Sequence, residues 1–214
     1  QVSRDLDHGN LIRPTKEICR RIKLKTPIIR NEDLAKLQKL HGPDFKSVTL
    51  PILYKVSGGG KALEEALEEL FRAATKAIHG GASILILSDR GVNNEYAPIP
   101  ALLAVSGLHH HLIREELRTK ASIVLESGEP REVHHFACLI GFGASAVNPY
   151  LALESVASMA RDGYLPDCTE EEALDTYSKV SSKGIIKILS KMGICTIQSY
   201  MGAQIFEAVG LSAS

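Results

Sequence analysis

An excess of charge of either sign is the first thing this sequence lacks. Lysine plus arginine and aspartate plus glutamate number 25 each in 214 residues, and the pI is about 7.2. No overall field therefore draws the chain to nucleic acid or to anionic lipid, and neither is expected as a partner. Cysteine is scarce: Cys19, Cys138, Cys168 and Cys195 stand far apart, with no CxxC spacing. That excludes a zinc or disulfide framework and suits reduced thiols in the cytosol. Long apolar runs are missing too. Nothing approaches the ~20 apolar residues of a membrane helix, and residues 1–10 are charged and polar where a secretory signal would be apolar. A cytoplasmic location without membrane contact is the expectation. The chain opens on Gln1 and stops at Ser214 just after a predicted helix, as an excised piece of something longer would.

What is there is a core: 44% of the residues are hydrophobic, enough for one large or two small domains. The runs Ile84-Leu85-Ile86-Leu87, Ile123-Val124-Leu125 and Ala146-Val147 read as buried strands, because continuous apolar runs separated by helix-length segments mark parallel strands covered on both faces. A further strand is predicted over 47–56, with Pro51 placing it at an edge or a bulge. Helices are predicted over 61–79, 100–118, 131–140 and 151–160, and 31–40 forms a short one capped by Asn31. In the first of the long helices, Leu63, Leu67, Leu70, Ala74 and Ala77 keep one face while Glu64, Glu65, Glu68 and Glu69 hold the other. Thr169 and Glu172 form a capping box for another helix. Residues 195–199 read as a short strand and 203–209 as a last helical piece. The fold class is α/β: repeated βα units with a mainly parallel sheet, open or partial-barrel-like. Its expected parts are a proline-punctuated wrapping segment over 1–45, with Pro14, Pro27 and Pro43, an α/β core over 46–178, and a helix and strand over 179–214.

Several motifs invite chemistry and fail on context. Ser57-Gly58-Gly59-Gly60-Lys61 suggests a phosphate loop, but Lys55 stands where the first glycine belongs and Ala62 where Ser or Thr would bind magnesium. Gly141-Phe142-Gly143-Ala144-Ser145-Ala146 fits GxGxxA in the wrong order, since a helix enters the glycines and a strand leaves them. A helix C-cap is the reading. Adjacent helical residues diverge by about 100°, so His109-His110-His111 and His134-His135 cannot converge on one ion and are read as packing or hydrogen-bonding groups.

The polar exits of the three apolar strands are the candidate site: Ser88, Asp89 and Arg90, then Glu126 and Ser127, then Asn148, with His134 and His135 as further rim or interface residues. Such exits are where α/β proteins build sites. Two readings stand. Asp89 and Glu126 could act as an acid/base pair, or Asp89, Arg90, Glu126 and Glu129 form an ion-pair network that fixes loops while the serines cap helices. The second is preferred, since no Ser/His/Asp order or activated cysteine adds to the first. No catalytic, cofactor-binding or metal residue is assigned.

The segments 82–91, 97–105, 126–137 and 146–152, which carry Leu87-Ser88-Asp89-Arg90-Gly91, Pro98-Ile99-Pro100, Glu126-Ser127-Gly128-Glu129-Pro130 and Asn148-Pro149-Tyr150, closely resemble the central domain of the large chain of glutamate synthase. Ser190-Lys191-Met192-Gly193 and Ser199-Tyr200-Met201-Gly202-Ala203-Gln204 resemble the stretch that leads into that family's flavin-binding barrel. The resemblance covers about 26–211. It implies a parent oxidoreductase acting on CH-NH2 donors in ammonia assimilation. A glutaminase domain with an N-terminal cysteine nucleophile releases ammonia, which a tunnel leads to a barrel holding FMN and a 3Fe-4S cluster, where 2-oxoglutarate becomes glutamate. Neither that cysteine nor clustered cysteines occur here, Cys195 stands where the family often has Ser and Met201 where Arg or Lys is common, so neither is given a ligand role. The resemblance implies an inactive connecting domain between the glutaminase and FMN-binding domains, bordering the ammonia path. The alternative is a stand-alone module binding a small anion at the Asp89/Arg90 and Glu126/Ser127 rim. Association with its own copies is a third possibility, through surfaces that neighbouring domains would otherwise cover.

Overall fold

A computed structural model describes Val2, Ser3 and residues 21–42 and 44–210. Cys19, Pro14 and Pro43 lie outside the described residues. Four parallel strands form the central sheet in the order β3-β5-β7-β8: β3 is Ser47–Pro51, β5 is Ile84–Ser88, β7 is Ser122–Glu126 and β8 is Ala146–Asn148. The sheet is open. Among the shorter strands, β1 (Val2–Ser3) pairs antiparallel with β2 (Arg21–Ile22), and β4 (Leu53–Lys55) pairs antiparallel with β6 (Tyr96–Pro98).

The strand expected over 47–56 is therefore two strands. Pro51 ends β3 at the sheet edge, as a residue without an N–H must. Ile52 is the pivot: its N–H donates to the Ser88 carbonyl at 2.8 Å and its carbonyl accepts from Ile99 N at 2.9 Å. After it the chain leaves the sheet to pair with β6.

The two faces of the sheet are covered differently. Side chains alternate along a strand, so Leu85, Leu87, Ile123, Leu125 and Val147 point to one face and Ile84, Ile86, Val124 and Ala146 to the other. The first set packs in the large core beneath α2 (Gly59–His79), α3 (Ala101–Arg114) and α4 (Val133–Gly141). The second meets Leu34 and Leu37 of α1 (Asn31–Gln38) and Ile29. Burying each such Leu or Ile contributes about 1.5–3 kcal/mol, which is why β5, β7 and β8 carry no polar residue between their ends, while the edge strand β3 exposes Thr49. Residues 27–29 run parallel beside β8, with Ile28 opposite Val147 and hydrogen bonds Ile29 N to Val147 O at 2.9 Å and Val147 N to Pro27 O at 2.8 Å. They cover the edge that β8 would otherwise leave open.

After β8, α5 (Tyr150–Arg161) and α6 (Glu170–Lys191) pack against each other, and α6 also packs on α4. The capping box is present: the Thr169 hydroxyl accepts from Glu172 N and the Glu172 carboxylate accepts from Thr169 N. α6 runs unbroken past 178–179. Helix α3 ends earlier than 118, since Glu116 takes a left-handed φ of 58° and turns the chain so that Arg118 points inward. Asn31 is the first helical residue of α1 rather than its cap, which is Arg30, because its side chain is taken by Asn148.

Two elements near the C-terminal end differ from expectation. Residues 195–199 do not form a strand: the Thr196 hydroxyl accepts from Ser199 N at 3.2 Å and nucleates the single helical turn α7 (Ile197–Tyr200), an option open to any Thr followed by a free turn. Residues 203–209 are not helical. Gln204 has a φ of 54°, and Phe206 is held by rings of Tyr200 and Phe142 and by Gly141. Side-chain anchoring has replaced the backbone ladder there.

Candidate functional site

Three strand ends meet at one rim. Register places Ser88, Glu126 and Asn148 side by side on the face that α1 covers. Ser88 Oγ donates to Glu126 Oε2 at 2.7 Å, and Arg90 Nε donates to Glu126 Oε1, also at 2.7 Å. The Glu126 carboxylate is 7% exposed and Arg90 46% exposed, so the guanidinium is the lid over a buried charge. It also contacts Glu154 Oε1 at 3.2 Å and lies 3.9 Å from the centre of the Tyr150 ring, a cation–π contact.

Asp89 has a second set of partners. Its carboxylate accepts from Ser127 Oγ at 2.7 Å and from Gly128 N at 3.0 Å, and the Tyr150 hydroxyl hydrogen-bonds to it. Burial first, then this bond to an anion, push the Tyr150 phenol up to about 12. A backbone N–H, a serine and a tyrosine converging on one point make an anion cradle, and Asp89 itself fills it. A free anion would need the space this carboxylate occupies. Ser127 Oγ in turn accepts from Glu129 N at 3.1 Å, while Glu129 Oε2 accepts from Ala101 N at 3.0 Å and so caps α3. Ser127 answers the next loop rather than a helix.

Asn148 behaves differently from its neighbours. Its Nδ2 donates to Ile29 O at 3.0 Å and Asn31 Oδ1 at 2.9 Å, tying β8 to the covering segment. Its Oδ1 is buried with no hydrogen-bond partner among the described residues.

The structure thus brings together Ser88, Asp89, Arg90, Glu126, Ser127 and Asn148, and separates His134 and His135 from them. Those two line a neighbouring cavity of about 270 Å³ with Leu102, Glu129, Pro130 and Cys138. His134 Nε2 lies 3.6 Å from Cys138 Sγ, and its ring meets Phe206 edge-on. His135 Nδ1 accepts from Arg131 N at 3.1 Å while Nε2 stands 3.6 Å from Glu132. The two imidazoles serve different partners, as divergent helical neighbours must. Burial raises the Cys138 thiol, which disfavours the nucleophilic thiolate. Among the described residues, no three His, Cys, Asp or Glu side chains are grouped to hold a metal ion.

Sequence reasoning missed Tyr150 and Glu154 of α5, which complete the rim; the signal was Tyr150 following the Asn148-Pro149 strand exit. At the opposite end of the sheet, His109 is the hydrogen-bonding group expected of it, but sequence reasoning missed its buried partner Arg118. Arg118 Nε donates to His109 Nδ1 at 2.8 Å, with Nη1 and Nη2 on the carbonyls of Ala121 and Gly143. Burial lowers Arg118 to about 10, and burial followed by the Arg118 charge lowers His109 to about 4, so this imidazole is a neutral acceptor near pH 7. Nothing in the local sequence sets Arg118 apart.

The family model described as the glutamate synthase central domain matches residues 6–212. The chain is 52% identical over 204 residues to the glutamate synthase [NADPH] large chain of Bacillus subtilis, covering 95% of this chain and 13% of that one. It is 40% identical over 206 residues to the glutamate synthase [NADH] of Schizosaccharomyces pombe, with 95% and 10% covered. To the ferredoxin-dependent glutamate synthase 2 of Synechocystis it is 42% identical over 218 residues, with 96% and 14% covered. The chain thus spans between 10% and 14% of the length of these relatives.

Proposed function

The chain belongs to the glutamate synthase central-domain family, and from that premise we propose that it is the connecting domain of a glutamate synthase, joining the glutaminase domain to the FMN and 3Fe-4S synthase domain and bordering the path ammonia takes between them. The parent converts glutamine and 2-oxoglutarate to glutamate in the cytoplasm, and FMN and the cluster reside in its other domains. The observation that carries this reading is the closed rim. At the strand ends where an α/β enzyme exposes reactive groups, Glu126 is taken by Ser88 and Arg90, and Asp89 by Ser127, Gly128 and Tyr150. Carboxylates held this way fix loops, and with Asp89 and Glu126 both buried neither is open to the substrate proton that a general base must reach.

The segment that resembles the lead into the flavin barrel is itself firmly seated. Tyr200 Oη donates to Ala137 O at 3.0 Å, Gly202 N donates to Gly141 O at 2.8 Å, and Phe206 packs on Phe142. A domain following this segment would inherit a fixed exit point, which suits a connector that holds two active sites in register.

The test uses the full-length parent. Replacing Asp89 by Asn should leave glutamate formation from supplied ammonia within about two-fold of the unaltered enzyme, because a loop-fixing carboxylate stands outside the transition state. A loss of a hundred-fold or so with ammonia, at unchanged folding, would make Asp89 catalytic and overturn the reading. The isolated chain given glutamine, 2-oxoglutarate and a reductant should form no glutamate.

A further inference from the structure

Between Asp175 and Glu207 the chain carries no acidic residue, and its charged residues there are Lys179, Lys183, Lys187 and Lys191. All four lie on α6 at a spacing of four, which sets them in one row with steps of about 6 Å along the axis. All are exposed, and none makes an ion pair among the described residues. Like charges at this spacing repel along a helix. The glutamate cluster on the exposed face of α2 is flanked and partly paired by bases, Lys61 beside Glu65 and Arg72 beside Glu69, whereas the α6 lysines have no such counterparts among the described residues. The acidic residues of α6 sit only at its start, where Arg30 takes Glu171 and Asp175, and Arg161 takes Glu170.

The lysine row is not purely polar. Val180, 58% exposed, and Ile186, 63% exposed, stand between the lysines. Each opens onto an apolar groove beside α6: one of about 550 Å³ with Leu165, Pro166 and Tyr177, the other of about 410 Å³ with Leu189 and Ile194. Exposed aliphatics next to grooves, with the lysines beside them and Glu132 the one acidic side chain on the wall of the first groove, mark a protein-docking face.

We propose that the lysine face of α6 docks onto an acidic surface of a neighbouring domain of the same polypeptide, with Val180 and Ile186 as its apolar contacts. The inference rests on the reading of this chain as a connecting domain. Charge complementarity sets the partner's chemistry: carboxylates spaced to meet four lysines, around apolar positions that fill the grooves. A polyanion such as lipid or nucleic acid is the less suitable occupant, because the chain as a whole carries no net charge to draw it there.

The experiment is a lysine footprint of the full-length parent with an acetylating ester, using Lys36 and Lys61 on α1 and α2 as exposed controls. Lys183 and Lys187 should react slower than the controls by roughly ten-fold, as groups occluded most of the time do. A zero-length carbodiimide should then join this row to Asp or Glu residues elsewhere in the same polypeptide. Labelling at the control rate overturns the proposal, as does cross-linking only to a second subunit. Binding of the parent to phosphatidylserine vesicles that is lost in K183E/K187E would assign the face to a membrane and also overturn it. The footprint does not depend on turnover: unprotected lysines in an enzyme with the proposed activities refute only the docking face. Protected lysines in an enzyme that fails the Asp89→Asn test refute only the connecting role.

Discussion

Lowering the pH should unlock this domain at His109. The imidazole is 8% exposed and is fixed by three neighbours. Arg118 donates to its Nδ1, the His110 ring stands edge-on at 5.2 Å, and Gly202 closes over its far side. A proton on Nδ1 would break the Arg118 bond and set two cations against each other. In the folded state the group titrates at about 4; in the unfolded chain it titrates at about 6.5. Between those values the unfolded state binds more protons, so stability present at neutral pH is lost as pH falls, beginning near 6.5 and ending near 4. At about 1.36 kcal/mol per pKa unit the full loss is about 3 kcal/mol, and about 2 kcal/mol of it is gone by pH 5. The assay is urea unfolding of the chain at constant ionic strength between pH 7 and pH 5, compared with His109→Gln. Glutamine keeps an acceptor for Arg118 and does not titrate. The difference between the two profiles should shrink the wild-type advantage by about 2 kcal/mol across that window. Parallel profiles, or a His109 resonance titrating near 6.5, would refute the reasoning.

Three other perturbations follow from the same structure. Gly143→Ala should destabilise by more than about 2 kcal/mol in thermal or urea unfolding, because φ is 117° and a Cβ there falls on the His109 ring; an effect of a few tenths would contradict the packing described. Thr169→Ala should cost about 1 kcal/mol through the lost capping box, visible as faster amide exchange in the first turn of α6. Arg90→Met leaves the buried Glu126 charge without its lid and should cost about 2–3 kcal/mol. Adding Glu126→Gln should recover part of that loss, and a purely additive double variant would show that the pair is not coupled.

Much of the fold is written in local pattern. The runs at 84–87 and 123–125 are apolar on both faces because a parallel strand has no wet side, and the glycine-ended helices follow from period and caps. The polar exits are visible as well, since a polar cluster directly after such a run has nowhere to sit but the rim. Their pairing is not. Whether Asp89 meets Arg90 or Ser127 depends on which strands are neighbours, and the split into an Arg90–Glu126 pair and an Asp89–Ser127–Tyr150 cradle appears only when β5, β7 and β8 stand in register.

By itself, then, the sequence determined the βα repeat, the buried strands, the Thr169 cap and the family to which the chain belongs, because each rests on residues within one turn or one strand of each other or on long matching motifs. The tertiary structure alone decided that residues 27–29 lie beside β8, that Arg118 turns inward to His109, and that Tyr200 is drawn into the core. Those outcomes are set by partners remote in sequence: Val147 for Ile28, Gly143 for Arg118, and Ala137 for Tyr200. A hydrogen bond to such a partner competes with local propensities of only a few tenths of a kcal/mol or so per residue, and local periodicity carries no record of it.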